Sequence, residues 1–403
     1  MTRDPAYGSL KSNGQVGNRL AKPPPEEPDA LIAHVRVCEG GGPKGPYLLG
    51  NRERTRPELT AKERVLLTFQ RKETDRVPIY GEARNVGFIE AVTGKKLRGA
   101  TKEVMEHITA EAYGKVGMDM LRSMMTPQWG VVEGVQCDGY LRWTVGGAEQ
   151  AHTLDEARES LKRFADSGDD PRDAAHAHIR EVERLQAILG DRTLFVPSAP
   201  VSCLEHLYHG IGIENFSTIM FEDGELIDAA LERNMERASQ MVEVINNMND
   251  SPVIHCADDL GMKNTTILSP EWMREHAFSR IKRVVDKIKN GGKYFLFHSC
   301  GNVNKIVPDL ISLGVDALEP IEPTAGMSLA EMKRNYGDKL VLLGNVNANI
   351  LQMGSPEDVR AEVRRCFDDA AHGGGYFLNG AITQVSPVEN VMAYFDEAGK
   401  YVG

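Results

Sequence analysis

The sequence predicts an α/β fold: a (β/α)₈ TIM barrel with an N-terminal extension. Short apolar runs rich in β-branched and aromatic residues alternate with longer amphipathic stretches, which is the pattern of parallel strands joined by crossover helices. The apolar runs are eight in number, as this barrel requires, and several of them end in polar residues. The predicted strands are residues 77–80, 118–123, 193–197, 253–256, 294–299, 317–321, 340–343 and 376–378.

Helices are predicted from the apolar periodicity of the remaining stretches. Thr60 followed by Glu63 has the spacing of a capping box, which predicts that the first helix begins there. Residues 130–145 predict a β-hairpin inserted in a loop. The four clearest helices are residues 171–189, 223–247, 270–289 and 356–371.

A doubly wound open sheet would show the same alternation of strands and helices. That fold binds phosphate through spaced glycines directly after its first strand. The glycine-rich segments at 291–292 and 373–375 precede strands instead, so the sequence favours the barrel. Residues 1–58 are rich in proline, glycine and charge and are predicted to be an extension, whereas residues 59–403 are predicted to form one catalytic domain.

Composition limits the classes of partner. The formal net charge of -11 at pH 7 argues against nucleic acid, because such binding depends on Lys and Arg contacts with phosphates. The N-terminus lacks the apolar core of a signal peptide, and no run reaches the ~20 apolar residues of a membrane span. Six cysteines at irregular spacings predict no disulfide framework. We therefore expect a cytoplasmic protein without a membrane partner, and a homo-oligomer is compatible with the sequence.

Polar residues gather where four predicted strands end. The carboxyl ends of barrel strands form one mouth, where catalytic residues lie, so we expect these side chains to face one another. Because adjacent residues of an extended segment point in opposite directions, only one of the two aspartates is expected to reach a ligand. The residues are Asp258 and Asp259 after the fourth strand, His298 and Cys300 at the fifth, Glu319 in the sixth and Asn345 after the seventh.

His298 and Cys300 are the strongest local signal for a metal site. Residues two apart on a strand point to the same face, and imidazole nitrogen and thiolate sulfur are both zinc ligands. Gly301 allows the backbone to turn, and Asn302 can cap the helix that follows. The alternative is a buried histidine bonded to the backbone beside an ordinary core cysteine. The polar ends of the neighbouring strands favour the metal site.

From about residue 59 to its end, the chain resembles the uroporphyrinogen decarboxylase-like superfamily. The motifs that carry the resemblance are LTAKERVL at 59–66, TDRVPI at 74–79, DDLG at 258–261, LSPE at 268–271, HSCGN at 298–302, GNV at 344–346 and SPVENV at 386–391. The resemblance implies a (β/α)₈ barrel. It also implies one of two chemistries: that of the metal-free porphyrinogen decarboxylases, or that of the cobamide-dependent methyltransferases, which include enzymes acting on coenzyme M and the O-demethylases of methoxylated aromatics.

The methyltransferases carry the His-x-Cys-Gly segment as zinc ligands, which implies that role for His298 and Cys300. Two departures from the family pattern narrow the choice of chemistry further. The decarboxylases begin their barrel with a segment resembling MRQAGR, whereas residues 80–85 here read YGEARN. The thiol-activating methyltransferases place a third ligand, a cysteine, where this chain has Gly380. The candidates for the third ligand are therefore Glu82, Cys256, Glu319 and Asn379.

The leading functional hypothesis is methyl transfer from a small methylated substrate, such as a methoxylated aromatic, to cobalt. The cobalt belongs to a corrinoid (cobalamin-type) cofactor on a separate protein that binds in trans. Zinc would activate the substrate, and the missing cysteine disfavours coenzyme M methylation. The candidate catalytic residues are Asp258, Asp259 and Glu319, and the candidate substrate-binding residues are Glu82, Asn345 and Asn379. Two alternatives stay open: a metal-free carboxy-lyase of the uroporphyrinogen decarboxylase type, and a non-catalytic corrinoid-binding accessory barrel.

Overall fold

The computed structural model describes residues 58–124, 127, 129–132, 135–138, 151, 153–199 and 202–401. The predicted extension, residues 1–58, therefore lies almost wholly outside the described residues. The described strands are β1 (Ile79–Tyr80), β2 (Met118–Leu121), β3 (Trp129–Val132), β4 (Val135–Asp138), β5 (Leu194–Phe195), β6 (Val253–Ala257), β7 (Gly261–Met262), β8 (Thr265–Thr266), β9 (Tyr294–His298), β10 (Ala317–Glu319), β11 (Val341–Val346) and β12 (Tyr376–Gly380).

Within this described part of the chain, eight strands form one parallel sheet in the order β5-β2-β1-β12-β11-β10-β9-β6. The sheet strands thus follow one another in chain order, and its two edge strands also meet. Ser198, just beyond β5, forms a parallel bridge with His255 of β6, whose N–H donates to Pro197 O at 3.0 Å. A doubly wound sheet would reverse its strand order at a switch point. The observed α/β architecture is TIM-barrel-like instead.

Helices surround the sheet, and the first of them begins at the predicted capping box. Thr60 Oγ1 accepts the Glu63 N–H at 3.2 Å, and the Glu63 carboxylate accepts the Thr60 N–H at 2.8 Å. The described α-helices are α1 (Ala61–Phe69), α2 (Val86–Thr93), α3 (Lys102–Val116), α4 (Leu154–Ala165), α5 (Arg172–Leu189), α6 (Glu205–Ile211), α7 (Ile213–Glu222), α8 (Gly224–Met248), α9 (Pro270–His276), α10 (Phe278–Asn290), α11 (Val307–Leu313), α12 (Leu329–Tyr336), α13 (Ala348–Met353), α14 (Pro356–Ala370) and α15 (Val388–Ala398).

None of the helices in the described ranges combines the length and the apolar character that a membrane-crossing helix needs.

Each predicted strand overlaps a strand of the sheet, and the predicted hairpin is present as the antiparallel pair β3 and β4. The last residues of that hairpin, 139–145, lie outside the described residues. One helix prediction is wrong: residues 270–289 form two helices, α9 and α10, which meet at Ala277, where φ is -107° instead of the about -63° of a regular helix. The apolar periodicity continues across this break, so the pattern alone does not reveal it.

Strand alternation divides the core into two layers. Every second sheet residue joins an apolar cluster inside the sheet, and the residues between them pack outward against the helices. The inner cluster consists of Val65, Phe69, Tyr80, Met120, Leu194, Val196, Val253, Leu296, Ala317, Val341, Leu343 and Phe377. Phe69 of α1 packs on Tyr294, the first residue of β9, with ring centroids 5.0 Å apart. Helix α1 therefore closes the amino-terminal end of the sheet and leaves the carboxyl end for the site.

A buried ion network fastens α1 to the sheet. The fully buried Asp119 of β2 accepts hydrogen bonds from Arg64 Nη1 at 2.6 Å and Arg76 Nη1 at 2.7 Å. Arg64 Nε also donates to Asp75 at 2.7 Å. Removing one member of such a network leaves an uncompensated buried charge, which costs more than the pair itself contributes.

The substitution Asp119→Ala is expected to lower the free energy of unfolding by about 3 to 5 kcal/mol, because Arg64 and Arg76 then lose the buried carboxylate that they share. Denaturant unfolding followed by circular dichroism measures the change. The exposed Asp338 provides the control, since Asp338→Ala should shift stability by no more than about 0.5 kcal/mol. Equal stability of the two variants would contradict the assigned role of the network.

Candidate metal centre

The inward positions of the sheet change from apolar to polar at its carboxyl end, which we call the mouth together with the loops that follow. His255, His298, Glu319 and Asn379 each stand two residues after a member of the inner apolar cluster, and so they continue the same inward face. The apolar layer beneath excludes water from below. Charges and hydrogen bonds in this polar layer are therefore stronger than they would be in bulk solvent.

Glu319 lies at the centre of the polar layer and is 3% exposed. Its Oε1 accepts the Tyr80 hydroxyl at 2.7 Å, its Oε2 accepts Asn379 Nδ2–H at 3.1 Å, and Arg122 Nε is 3.6 Å from Oε1. Burial raises the pKa of Glu319, but the charge of His298, the close approach of both histidine rings and the charge of Arg122 outweigh it and hold this pKa well below its ordinary value. Glu319 is therefore a buried carboxylate anion.

His298 presents its two ring nitrogens to different groups. Nδ1 lies 3.1 Å from Glu319 Oε1, whereas Nε2 lies 3.4 Å from Cys300 Sγ and 3.6 Å from Asp259 Oδ1. Burial lowers the pKa of His298, but the charge of Glu319 and the contact with Cys300 raise it to about 10. By contrast, burial lowers the pKa of His255 to about 4. The surroundings of His298 thus favour positive charge on its Nε2 side, whether that charge is a proton or a metal cation.

Two glycines bring the loop after β6 against the loop after β9. A Cβ on Gly261 would lie 2.5 Å from Cys300 O, and a Cβ on Gly301 would lie 2.3 Å from the backbone carbon of Gly261. Gly301 also has φ +82°, a conformation that side chains disfavour. This close contact lets the Cys300 N–H donate to Asp259 Oδ1 at 2.7 Å, which places the carboxylate beside the thiol.

A cavity of about 370 Å³ opens beside His298 and Cys300. Apolar residues form much of its wall, and Glu82 and Asn379 add polar groups. Glu82 pairs with Arg84, and its buried Oε1 has no hydrogen-bond partner among the described residues. The apolar wall includes Pro320, Ile321, Pro323, Val346, Ala381 and Ile382. A cavity of about 510 Å³ lies elsewhere, near Thr60 and Asn249 at the start of α1 and before β6, and it contains none of the predicted site residues.

Donor atoms at the mouth form two groups of three that lie within 4.8 Å of one another: Asp259, His298 and Cys300 in one, and His255, His298 and Glu319 in the other. Zinc accepts nitrogen, sulfur and oxygen ligands in tetrahedral arrangements. The residues present therefore fit a zinc ion, and His298 belongs to both groups.

The structure places Asp258 away from the mouth, which corrects its prediction as a catalytic residue. Its carboxylate accepts the N–H groups of Cys203 at 2.9 Å, Leu204 at 3.1 Å and Glu205 at 2.8 Å, and the side chain is 0% exposed. Asp258 thus holds the start of α6. As alternation predicts, its neighbour Asp259 is the aspartate that faces the site.

Two other predicted residues also turn away from the cavity. Cys256 is fully buried in the outer apolar cluster, on the face of β6 opposite His255, so it cannot be the third ligand. The Asn345 amide oxygen accepts Arg365 Nη2–H at 2.8 Å, so the side chain points toward α14 although its backbone lines the cavity. Asn345 is therefore a poor candidate for direct substrate binding, whereas Glu82 and Asn379 do line the cavity.

Tyr80, Arg122 and His255 also belong to the polar layer, although no sequence motif indicates a role for them. Each lies on the inward face: Arg122 and His255 stand two residues after the inner-cluster residues Met120 and Val253, and Tyr80 is itself a member of that cluster. Extending the inward alternation one position beyond the apolar cluster indicates Arg122 and His255, whereas the sequence gives no such signal for the Tyr80 hydroxyl.

The family model described as uroporphyrinogen decarboxylase (URO-D) matches residues 60–401. The methylcobamide:CoM methyltransferase MtaA of Methanosarcina barkeri is 26% identical over 200 residues, which are 47% of this chain and 54% of that protein. A uroporphyrinogen decarboxylase of Neisseria meningitidis is 25% identical over 229 residues, 51% of this chain and 61% of that protein. The chain therefore spans little more than half of the length of either relative.

A solved structure, a methyltransferase from Methanosarcina mazei, superimposes with a TM-score of 0.63 at 19% identity, covering 85% of this chain and 99% of that one. This similarity shows that the two proteins share a fold.

The substitution Asp258→Asn is expected to lower the free energy of unfolding by about 1 to 3 kcal/mol, because an amide offers one acceptor oxygen to N–H groups that now share two. Amide hydrogen exchange should accelerate at Cys203, Leu204 and Glu205. Glu271→Gln, in the first turn of α9 and exposed, is the control and should leave exchange in α6 unchanged. Unaltered exchange in Asp258→Asn would contradict the helix-anchoring role.

Proposed function

The chain belongs to the uroporphyrinogen decarboxylase family, and from this premise we propose that it is a methyltransferase that moves a methyl group from a small methylated substrate to a corrinoid protein. A zinc ion bound by His298 and Cys300 activates the substrate in this proposal. The observation that carries it is the 3.4 Å approach of His298 Nε2 to Cys300 Sγ at the edge of a largely apolar cavity. The relative named methylcobamide:CoM methyltransferase supports this branch of the family.

The residues of the mouth suit this reaction. Zinc, when bound, supplies a Lewis acid that draws electron density from the heteroatom carrying the methyl group. Glu319 orients His298 through Nδ1, as carboxylates commonly do for histidine ligands. Because its pKa is held low, Glu319 acts as an anion rather than as a proton donor. The methyl carbon would pass to the reduced cobalt of the partner's corrinoid, and the heteroatom would keep the bonding electron pair and take up a proton from water.

The cavity fits a small methylated molecule. Its apolar wall, which includes Ile321 and Ile382, packs against a ring such as that of a methoxylated aromatic and excludes water. Glu82 and Asn379 bind polar substituents of the substrate. The methyl donor and the cobalt must approach the same group, so the corrinoid protein docks over the mouth in trans.

The proposal extends to the organisation of the protein. Residues 59–403 form a closed (β/α)₈ barrel, which the bridge between Ser198 and His255 supports, and residues 1–58 are an N-terminal extension. The protein acts in the cytoplasm, where corrinoid proteins and reduced cobalt are available.

A second candidate is a metal-free carboxy-lyase, which the similarity to the Neisseria uroporphyrinogen decarboxylase supports. It accounts for neither the paired His298 and Cys300 nor the segment at 80–85, which lacks the arginine motif of the decarboxylases.

Purified protein is expected to contain close to one equivalent of zinc, and His298→Ala should lose both the zinc and methyl transfer because it removes a ligand. Elemental analysis after gel filtration measures the metal. His276→Ala is the matched control, since His276 lies on α9 and contacts Asp228; this variant should keep its zinc. A wild-type protein without zinc whose activity survives chelators would overturn the proposal.

Incubation with reduced corrinoid protein and a panel of methyl donors is expected to methylate cobalt, because the cavity and the metal centre can activate a methyl–heteroatom bond. The panel contains methoxylated aromatics, methylamines and methylthiols, and absorbance follows cobalt methylation. Methyl ethers should react faster than methylthiols. Decarboxylation of a porphyrinogen by metal-depleted protein, with no donor methylating cobalt, would establish the carboxy-lyase instead.

A further inference from the structure

We propose that Asp259 is the third ligand of the metal centre, in place of a third ligand from β12, and that Glu319 is a positioning residue rather than a ligand. This inference rests on the proposed function, because it concerns the same zinc ion.

The separations of the donor atoms match the edges of a zinc tetrahedron. With zinc bonds of about 2.0 to 2.3 Å to nitrogen, oxygen and sulfur, tetrahedral geometry places neighbouring donors about 3.3 to 3.6 Å apart. His298 Nε2 lies 3.4 Å from Cys300 Sγ and 3.6 Å from Asp259 Oδ1. Both separations from His298 are therefore at ligand spacing, and the thiol and the carboxylate lie within 4.8 Å of each other.

The other group of donors, formed with His255 and Glu319, is less suited to a reactive metal. The side chains of His255 and Glu319 are 2% and 5% exposed, whereas those of His298 and Asp259 are 18% and 30% exposed. A catalytic zinc keeps one position open for substrate, and the more exposed group, with His298 and Cys300 on the cavity wall, leaves room for it. Glu319 also lies 3.6 Å from the Arg122 guanidinium, which would repel a metal dication.

The two ring nitrogens of His298 have different roles: one faces a supporting carboxylate, and the other is free to bind the metal. Nδ1 faces Glu319 at 3.1 Å, so the ring can bind a metal at Nε2 on the side of Cys300 and Asp259. A carboxylate on the far nitrogen of a histidine ligand fixes the orientation and the tautomer of the ring. Glu319 is itself held by Tyr80 and Asn379, which makes this support rigid.

Asp259 is held in place from three sides. Its N–H donates to Glu205 Oε2 at 3.1 Å, its carbonyl accepts the Tyr208 hydroxyl at 2.8 Å, and its Oδ1 accepts the Cys300 N–H at 2.7 Å. The first two contacts come from α6, whose start is anchored by Asp258. The adjacent aspartates thus act together: one fastens the helix, and the helix positions the other.

Strand β12 cannot provide the ligand from position 380. A Cβ on Gly380 would lie 3.0 Å from Leu351 Cδ1 and 3.3 Å from Tyr394 Cε2, both of which belong to the outer apolar cluster. A side chain there would point toward the helices rather than into the mouth. The inward residue of this strand end is Asn379, whose amide already donates to Glu319.

This ligand set contains one thiolate, so the zinc keeps more positive charge than it would beside two. A harder centre of this kind favours oxygen or nitrogen donors over sulfur. We therefore expect the substrate to be a methyl ether or a methylamine.

Metal affinity and the spectrum of the Co²⁺-substituted protein test this assignment. Asp259→Asn keeps an oxygen for the Cys300 N–H but removes the charged ligand. Its zinc affinity should therefore fall by more than the about 10- to 100-fold that loss of a supporting group costs. The visible bands of its Co²⁺-substituted form should also change. Glu319→Gln should weaken affinity about 10- to 100-fold with the cobalt bands unchanged. Glu82→Gln, which removes another carboxylate of the cavity, should leave both unchanged.

Asp259→Cys provides a second variant with an expected gain. A cysteine ligand at this position should raise the near-ultraviolet sulfur-to-cobalt absorption per cobalt about twofold, because each thiolate contributes to that band. Unchanged absorption in Asp259→Cys, together with wild-type zinc affinity in Asp259→Asn, would overturn the assignment. If His298→Ala alone lost the metal, the proposed function would stand without this ligand; a wild-type protein that bound neither Zn²⁺ nor Co²⁺ would refute both.

Discussion

Glu319 carries a buried negative charge next to His298, and the polar layer of the mouth is arranged around it. A carboxylate at 3% exposure persists as an anion only when hydrogen bonds and opposite charge replace its lost hydration. Tyr80, Asn379 and Arg122 provide part of this compensation, and the imidazole provides the rest. The orientation of the imidazole follows from this pairing, because only Nε2 is then left to face the thiol.

The apolar core and the loops make this arrangement rigid. Below the polar layer, alternate strand residues fill the interior, and α1 closes the amino-terminal end with Phe69. Above it, Gly261 and Gly301 approach so closely that neither position has room for a side chain. This contact aligns two loops that are about forty residues apart in the chain, and so it sets the distance between Asp259 and Cys300.

Much of the fold and part of the site could be predicted from local patterns. Period-two alternation located all the sheet strands, and the His-x-Cys spacing identified two side chains on one face of β9. The alternation also predicted that Asp258 and Asp259 would point in opposite directions, although it could not tell which one faced inward. Cys256 faces the helices because it alternates with the inward His255, whereas the direction of Asn345 depends on its contact with Arg365, which no alternation predicts.

Strand periodicity and residue type alone predict the parallel α/β plan, the polar carboxyl end of the sheet, and the placement of His298 and Cys300 on one face of a strand. Only the tertiary structure decided which oxygen accompanies that pair. Asp259 reaches Cys300 through the contact of two loops, and Glu319 reaches the opposite nitrogen of the same ring through the pairing of β9 with β10. These distances depend on the packing of distant segments, which no local pattern encodes.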